Sequence, residues 1–349
     1  GVSDAAKKEA DSDVAPEKTL DVKSTKVYRQ WKHDAPLLGC RFDPTGRFVF
    51  ASSMDQSIQR WDLESDQHTT FSGHESWLRG IGFSGDGKQV FSGGYDGRLC
   101  FWDRDVQPTA EGESVSPIRT IEAHDGWIRW LAVHPQGHTI ATAGNDLQIK
   151  LWSAESGELI RSLDGHQKHI YSLLFHPDGN SLFSGDLAGV VQQWDLQTGA
   201  SQRSFDAKPL HTYHGGQQVD YGGVRCMALS KDARQIAFGG LHKATNPFAG
   251  VQEPLVLVFD LEKGEQIRTH EATEIPRGIV WRLVFEQDGT LTSGIGGEAG
   301  YLVFWQAEKT ELHKLRMPSP VLDMDRHPHK AEVVTAHHDG RIRLSKLSA

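Results

Sequence analysis

The sequence predicts an all-β protein, a seven-bladed β-propeller with four antiparallel strands in each blade. Short apolar segments separated by Gly-, Asp- and Pro-containing turns fill residues 26–349, which favours strands over helices. A unit with a loop histidine, two turns and a terminal aromatic residue also recurs along the chain, and repeats of about 40–45 residues are typical of propellers. The terminal positions of the seven units are Trp61, Trp102, Trp152, Trp194, Phe259, Trp305 and Ser345.

The histidine loops are most alike in three consecutive units, at residues 73–79, 123–129 and 165–171. Each loop precedes an apolar strand, a turn, a second strand, a Gly/Asp turn and a third strand that ends in Trp. Weaker copies precede and follow these three units. The terminal positions are 41, 50, 42, 65, 46 and 40 residues apart, so we expect blades of about 40–45 residues with two long insertions, one between the second and third terminal positions and one between the fourth and fifth.

This order of loop histidine, Asp-Gly turn and terminal Trp-Asp resembles the WD-repeat family over nearly everything after Lys26. The repeated Asp-Gly and His-Pro turns are similar to those of bacterial WD-repeat proteins. The last unit ends on its third strand at residues 341–347, whereas residues 26–31 form a predicted strand without a blade. The resemblance implies that the N-terminal strand completes the seventh blade and closes the ring.

Residues 1–25 are predicted to form a flexible arm, and residues 26–349 a single propeller domain. The arm is rich in Ala, Asp, Glu, Lys and Ser and has almost no aromatic residues, a composition that cannot bury a core. It lacks the apolar region of a signal peptide. Its first residue is Gly rather than Met, which we interpret as processing or trimming. The cellular compartment is therefore not assigned from this terminus.

Composition argues against two classes of partner. The formal net charge is −9, from 37 basic and 46 acidic residues, and no basic stripe suited to nucleic acid is present. No apolar run approaches the length needed to cross a bilayer. The three cysteines, at positions 40, 100 and 226, are expected to be buried and unpaired.

The resemblance also implies that a histidine, a Ser or Thr, an Asp and a Trp of each repeat form a hydrogen-bonded network. The complete sets are His74, Ser92, Asp96 and Trp102 in the second blade and His124, Thr142, Asp146 and Trp152 in the third. The first blade has Ala51 in place of the hydroxyl, the fourth has Ala188 in place of Asp, and the last three lack most of the set. These residues are therefore expected to be structural, and no metal or cofactor is expected.

The best candidates for partner binding lie around one mouth of the channel, on the face we call the top. This face carries the loops that enter each first strand and the turns between second and third strands. Its candidate residues are Trp77, Arg79, Tyr95, Trp127, Arg129, Asn145, His169, Tyr171, Arg225 and Trp281. Trp, Tyr and Arg are enriched at binding hot spots, and three arginines around one mouth favour an acidic partner.

Insertions are predicted on the same face at 209–223, 242–254 and 294–300, with residues 105–116 on the opposite face. Long loops in a compact repeat are commonly functional. His211 and His214 within the first insertion have no obvious third metal ligand, so a solvated loop is favoured there.

The leading hypothesis is a non-enzymatic scaffold, a monomeric propeller within a larger complex, that binds a protein or peptide on its top face. The alternatives are a propeller enzyme and a small-ligand or glycan-binding protein that uses the channel mouth. An enzyme needs chemically active groups that converge on one point. The candidates Asp186, His214, Asp220 and Glu298 are scattered through the sequence.

Overall fold

The computed structural model describes residues 20–245, 251–272, 274–275, 277–307 and 309–348. Within these ranges it contains seven four-stranded antiparallel sheets, arranged as the blades of a propeller, and one two-stranded hairpin. The predicted seven-bladed all-β fold is confirmed. The few helical residues form two single 3-10 turns, Val22–Ser24 and Lys208–Leu210.

The strands follow one another from the channel outward in six blades. Blade 1 is β2 (Leu37–Phe42), β3 (Phe48–Ser53), β4 (Ile58–Asp62) and β5 (His68–Phe71). Blade 2 is β6 (Leu78–Phe83), β7 (Gln89–Gly94), β8 (Arg98–Asp103) and β9 (Arg119–Glu122). Blade 3 is β10 (Ile128–Val133), β11 (Thr139–Gly144), β12 (Gln148–Ser153) and β13 (Leu159–Asp164). Blade 4 is β14 (Ile170–Phe175), β15 (Ser181–Asp186), β16 (Val190–Asp195) and β17 (Ser201–Asp206).

The remaining blades follow the hairpin of β18 (His211–His214) and β19 (Val219–Gly222). Blade 5 is β20 (Cys226–Leu229), β21 (Gln235–His242), β22 (Glu253–Asp260) and β23 (Glu265–Glu271). Blade 6 is β24 (Gly278–Phe285), β25 (Leu291–Gly297), β26 (Gly300–Gln306) and β27 (Lys309–Met317). Blade 7 is β28 (Val321–Arg326), β29 (Glu332–His337), β30 (Arg341–Lys346) and β1 (Lys26–Lys32).

Burial within a blade changes from the second strand to the fourth. All six residues of β3, β11 and β15 are buried, because the second strands are covered on both faces by the neighbouring blades. In the outer strand β13 only Leu163 is buried. The core is therefore a series of apolar layers between adjacent sheets, and the fourth strands form the rim.

The ring closes through the predicted N-terminal strand. β1 pairs with β30 in antiparallel register from Lys26↔Lys346 to Lys32↔Arg341, which places it as the outer strand of blade 7. Just before β1, the buried Val22 packs against blades 6 and 7, and the Asp21 N–H donates to the Leu347 carbonyl at 2.9 Å. Residues 1–19 lie outside the described residues, so the flexible arm stays a prediction.

The predicted insertions have different outcomes. Residues 211–222 form the β18–β19 hairpin rather than a loop without secondary structure. The 242–254 segment connects β21 with β22, and its central residues 246–250 lie outside the described residues. The predicted insertion at 294–300 is wrong, because β25 and β26 leave only two residues between them. Gly296 lies against the Val321 carbonyl and Gly297 against the Arg277 carbonyl, so these glycines permit close backbone approach.

Candidate partner-binding face

Buried polar networks hold the top loops of blades 2 and 3. In blade 2, His74 Nδ1 lies 3.0 Å from Asp96 Oδ2, and His74 Nε2 lies 2.7 Å from Ser92 Oγ. The indole N–H of Trp102 donates to the same hydroxyl at 2.8 Å. Burial disfavours protonation of His74, but the hydrogen bonds and charge interactions with Asp96 and Cys100 together outweigh it and raise the pKa of His74 to about 9.

Blade 3 repeats this arrangement with His124, Thr142, Asp146 and Trp152. His124 Nδ1 lies 2.8 Å from Asp146 Oδ2 and its Nε2 lies 2.7 Å from Thr142 Oγ1, which also accepts the Trp152 indole N–H at 2.9 Å. In both blades the Asp also accepts the N–H of the residue after His, Glu75 or Asp125. The network thereby fixes the loop segment that leads to Trp77 and to Trp127.

The expectation that blade 4 lacks a carboxylate is wrong. Asp186, not position 188, supplies it: His166 Nδ1 lies 2.7 Å from Asp186 Oδ2, and His166 Nε2 lies 2.6 Å from Ser184 Oγ. The backbone register aligns Asp186 with Gly94 of blade 2, where a side chain would collide with His74 and Asp96. An Asp at the glycine position brings its own carboxylate to the imidazole, which makes the downstream Asp unnecessary.

Blades 1, 6 and 7 stabilise the corresponding polar groups in other ways. In blade 1, His33 Nε2 lies 2.6 Å from Asp55 Oδ2, and Trp61 stacks on His68. In blade 6 the Trp305 indole N–H donates to the Glu271 carbonyl at 3.0 Å. In blade 7, His337 lies 2.6 Å from Thr335 Oγ1 and 2.9 Å from the Ser319 carbonyl.

Seven side chains at the top mouth form a continuous series of alternating aromatic and cationic contacts. Their order is Tyr95, Trp127, Arg129, Tyr171, Arg225, Trp281 and Arg79. Each guanidinium carbon lies 4.2 to 5.8 Å from the centroids of its ring neighbours, within the range of favourable cation–π contact. Nine of the ten predicted residues, His169 excepted, make contacts in or beside this series, which we call the arginine–aromatic cluster.

The three arginines of the cluster donate hydrogen bonds only to neutral acceptors within the described chain. Arg79 donates to the Leu38 and Leu322 carbonyls, both at 3.0 Å, and Arg225 Nε donates to the Gly222 carbonyl at 2.8 Å. Arg129 Nε donates to the Asn145 side-chain oxygen at 2.6 Å. Burial, followed by the positive charges of Arg129 and Arg79, lowers the pKa of Arg225. This mouth therefore concentrates positive charge on an acidic protein.

The two tryptophans at the rim are accessible. The exposed fractions of Trp77 and Trp127 are 42% and 43%. The Trp77 indole N–H donates to the Met54 carbonyl of blade 1 at 2.9 Å, and the Trp127 ring stacks on Tyr95 of blade 2. Both rings are thus held at junctions between blades while one side of each remains available. Their exposure shows that these two side chains are not simply buried packing between blades.

A small cavity of about 120 Å³, the upper cavity, is lined by every residue of the cluster except Trp127. Its walls include two residues that the sequence argument missed, Trp130 and Asp323. Asp323 accepts hydrogen bonds from Arg282 at 3.1 and 3.2 Å and from the Cys40 N–H at 3.0 Å. Its carboxylate is therefore already neutralised and does not compensate the arginines above. Trp130 could have been found from the sequence, because it directly follows the candidate residue Arg129 on the innermost strand β10.

The remaining candidates do not converge on one point. His169 lies on the same rim, and its burial, with Arg129 and Lys168 nearby, lowers its pKa. Asp186 belongs to the blade 4 network, and Asp220 pairs with His211 at 2.7 Å and with Lys168 at 3.1 Å. No group of three metal-ligating side chains occurs among the residues that the structure describes. In the same part of the chain, no helix has the length and apolarity of a membrane span.

Comparisons with known proteins agree with this architecture. The family model described as "WD domain, G-beta repeat" matches four segments, 24–62, 65–103, 115–153 and 157–195. A Danio rerio protein named p21-activated protein kinase-interacting protein 1-like is 29% identical over 114 residues, 32% of this chain and 28% of that protein.

Two fungal proteins show comparable similarity. Nuclear distribution protein PAC1 of Arthroderma benhamiae is 30% identical over 119 residues, 33% of this chain and 24% of that protein. Protein HIR1 of Cryptococcus neoformans is 25% identical over 144 residues, 36% of this chain and 15% of that protein. The chain thus spans less than a third of the length of these relatives.

Proposed function

This chain belongs to the WD-repeat β-propeller family, and we propose that it is a non-enzymatic interaction protein that binds an acidic segment of a protein partner on its top face. The observation that carries the proposal is the arginine–aromatic cluster. Arg79, Arg129 and Arg225 lie together at one mouth, each against an aromatic ring, and each donates to a neutral acceptor. A carboxylate of the partner would supply the missing negative charge.

The accessible tryptophans supply the apolar part of the proposed surface. A partner that covers Trp77 and Trp127 buries two large, rigid rings. The Trp77 indole N–H already has its hydrogen-bond acceptor, and the Trp127 ring is already stacked on Tyr95. Such pre-ordered aromatic side chains lose little conformational entropy on binding, which favours their use as anchors. One similar protein is named for its interaction with a protein kinase, which supports a protein partner in general terms. We further propose that the propeller acts as a monomer within a larger complex.

The first test is partner capture from an extract of the source organism with the immobilised full chain. A variant with Trp77→Ala and Trp127→Ala should lose the specific partner, while its circular dichroism and melting temperature stay close to wild type. The matched control carries Ile118→Ala and Leu159→Ala, which removes two exposed apolar side chains (60% and 49% exposed) from the outer part of blades 2 and 3. Equal capture by both variants would contradict a role for the tryptophans.

The second test addresses charge with a fluorescently labelled octaglutamate peptide. Its binding, followed by anisotropy, should weaken as salt increases, because cluster and peptide attract through opposite charges. Arg129→Gln should lower the affinity about tenfold, as expected for loss of one charge-assisted contact. An uncharged octaserine peptide is the control. Equal binding of both peptides would refute the acidic specificity.

A further inference from the structure

A second, larger cavity occupies the lower half of the channel, on the opposite side of Trp130 from the top mouth. Its volume is about 440 Å³, and Trp130 and Arg225 line both this lower cavity and the upper one. Pro135 and Pro177, from the turns between first and second strands, also line it. Because those turns lie on the face opposite the arginine–aromatic cluster, the lower cavity opens there.

Small residues of the inner strands form part of the cavity wall. Gly82 on β6 and Ala132 on β10 line it, and a side chain at Gly82 would collide with Val133 and Leu131 of blade 3. Apolar groups complete the wall, among them Phe83, Val133 and Leu174, none of which is fully buried. A volume of a few hundred Å³ with mainly apolar walls and a few polar groups is typical of sites for small organic molecules.

All the charged side chains that line the lower cavity, within the described residues, are arginines: Arg41, Arg225 and Arg282. The guanidinium carbons of Arg41 and Arg282 lie 5.2 and 4.5 Å from the Trp130 ring centroid. Arg282 is neutralised by Asp323. The guanidinium of Arg225 is held by its hydrogen bond to the Gly222 carbonyl and by its contact with the Tyr171 ring.

Among these three arginines, Arg41 has N–H groups that are available to a ligand. Its Nη1 lies 3.4 Å from the Cys40 carbonyl and 3.9 Å from Asp325 Oδ1, and its other nitrogens have no hydrogen-bond partner among the described residues. Asp325 is occupied on its other oxygen by the Phe42 N–H at 2.8 Å. Burial raises the pKa of Asp325 against the opposing effect of Arg41 and Arg282, which weakens it as a counter-ion.

We propose that the lower cavity binds a small amphipathic monocarboxylate, with its apolar body against Phe83, Val133 and Leu174 and its carboxylate on Arg41. The anion gives Arg41 the bidentate partner that Asp325 does not provide. The body replaces water along apolar walls, which favours binding in proportion to the apolar area covered. This site is separate from the proposed top-face surface and does not depend on it.

The test is isothermal titration calorimetry of the full chain with sodium octanoate, and 1-octanol as the uncharged probe with the same hydrocarbon chain. We expect one octanoate per chain and at least about tenfold weaker binding of octanol, as expected for loss of a charge-assisted contact. Absence of octanoate binding up to millimolar concentration, or equal binding of octanol, would overturn the proposal.

Two variants locate the site. Arg41→Gln should weaken octanoate binding at least about tenfold by removing the cation, and Ala132→Leu should block it by filling the cavity. Arg316→Gln, which removes the same charge from an exposed position on β27, should bind as wild type does. If Arg41→Gln does not fold, Ala132→Leu decides alone. Unchanged binding by a folded Arg41→Gln or Ala132→Leu variant would place octanoate elsewhere and refute the assignment.

Discussion

The indole of Trp127 lies parallel to the phenol ring of Tyr95, with ring centroids 4.4 Å apart and planes within 1° of each other. Tyr95 follows β7 in blade 2, whereas Trp127 precedes β10 in blade 3, so the stack joins two blades on the top face. Arg129 lies 5.0 Å from the Trp127 ring and connects this pair to the rest of the arginine–aromatic cluster. The orientation of Trp127 therefore depends on its neighbouring blade.

Removal of the stacking partner should weaken partner capture without unfolding the ring. Tyr95→Ala leaves Trp127 free to adopt other rotamers, and aromatic pairs contribute about 0.5–1.5 kcal/mol, so we expect a two- to tenfold loss of affinity. Surface plasmon resonance with the captured partner measures this change. Tyr95→Phe preserves the stack and serves as control. Wild-type affinity of Tyr95→Ala would show that the stack does not orient Trp127.

The carboxylate of Asp186 should be essential for the stability of blade 4. Asp186→Gly removes the acceptor from His166 and from the backbone N–H groups of Ala188 and Val190, so we expect a loss of about 3 kcal/mol in the free energy of unfolding. Urea denaturation measures this loss.

Addition of Ala188→Asp to Asp186→Gly recreates the arrangement of blades 2 and 3 and should restore part of the stability. The single Ala188→Asp variant is the control, because it adds a charge without removing the network. Failure of the double variant to regain stability would contradict the equivalence of the two carboxylate positions.

Acidification should destabilise blade 7 through His337. Burial lowers the pKa of this imidazole to about 4, whereas in the unfolded chain it is about 6.5. As the pH falls from 6.5 towards 4, the unfolded chain binds a proton that the folded protein does not, so stability is lost in this window.

Between pH 7 and pH 4.5 the wild type should therefore lose about 2–3 kcal/mol more stability than His337→Gln. Urea denaturation at each pH provides the comparison, in which other titrating groups cancel. Parallel pH profiles of the two proteins would show that His337 does not have a depressed pKa.

Ring closure should depend on β1. Deletion of residues 26–31 exposes the edge of β30 and removes the hydrogen bond from Tyr28 to Glu332, so we expect the melting temperature to fall by about 10 °C or more. Deletion of residues 2–19, which lie within the flexible arm predicted at residues 1–25, is the control and should change the melting temperature by less than about 2 °C. Differential scanning calorimetry distinguishes the two. Equal melting temperatures would contradict the closure.

The fold could be predicted because the sequence pattern that indicates a blade occurs several times in the chain. Seven copies of one pattern define the blades, and the unpaired strand at residues 26–31 defines the closure. The positions of the top-face residues followed from the same pattern, since each lies beside the Leu, Ile or Val at the start of a first strand or just before the turn Asp. His74 and His124, for example, fix the positions of Trp77 and Trp127 three residues later.

The wrong predictions concern residues whose type is compatible with two different structural roles. Asp186 occupies a position that is glycine in blades 2 and 3, so alignment with those blades assigned the carboxylate position to Ala188. The glycines of 294–300 suggested a loop, whereas Gly296 and Gly297 allow carbonyl groups of other strands to approach. Trp130 and Asp323 line one cavity only because the ring brings β10 and β28 to the same channel. No local pattern contains that information.

The pairing of β1 with β30 also has a consequence for biosynthesis. β1 is translated before the other strands of the propeller, but its hydrogen-bonding partner β30 is translated more than 300 residues later. At about 5–20 residues per second, this interval lasts roughly 15–60 s. During that time β1 lacks its partner strand, and the charged side chains Lys26, Arg29 and Lys32 discourage its pairing with other nascent chains. The last strand of the propeller to be synthesised thus completes the ring by pairing with the first.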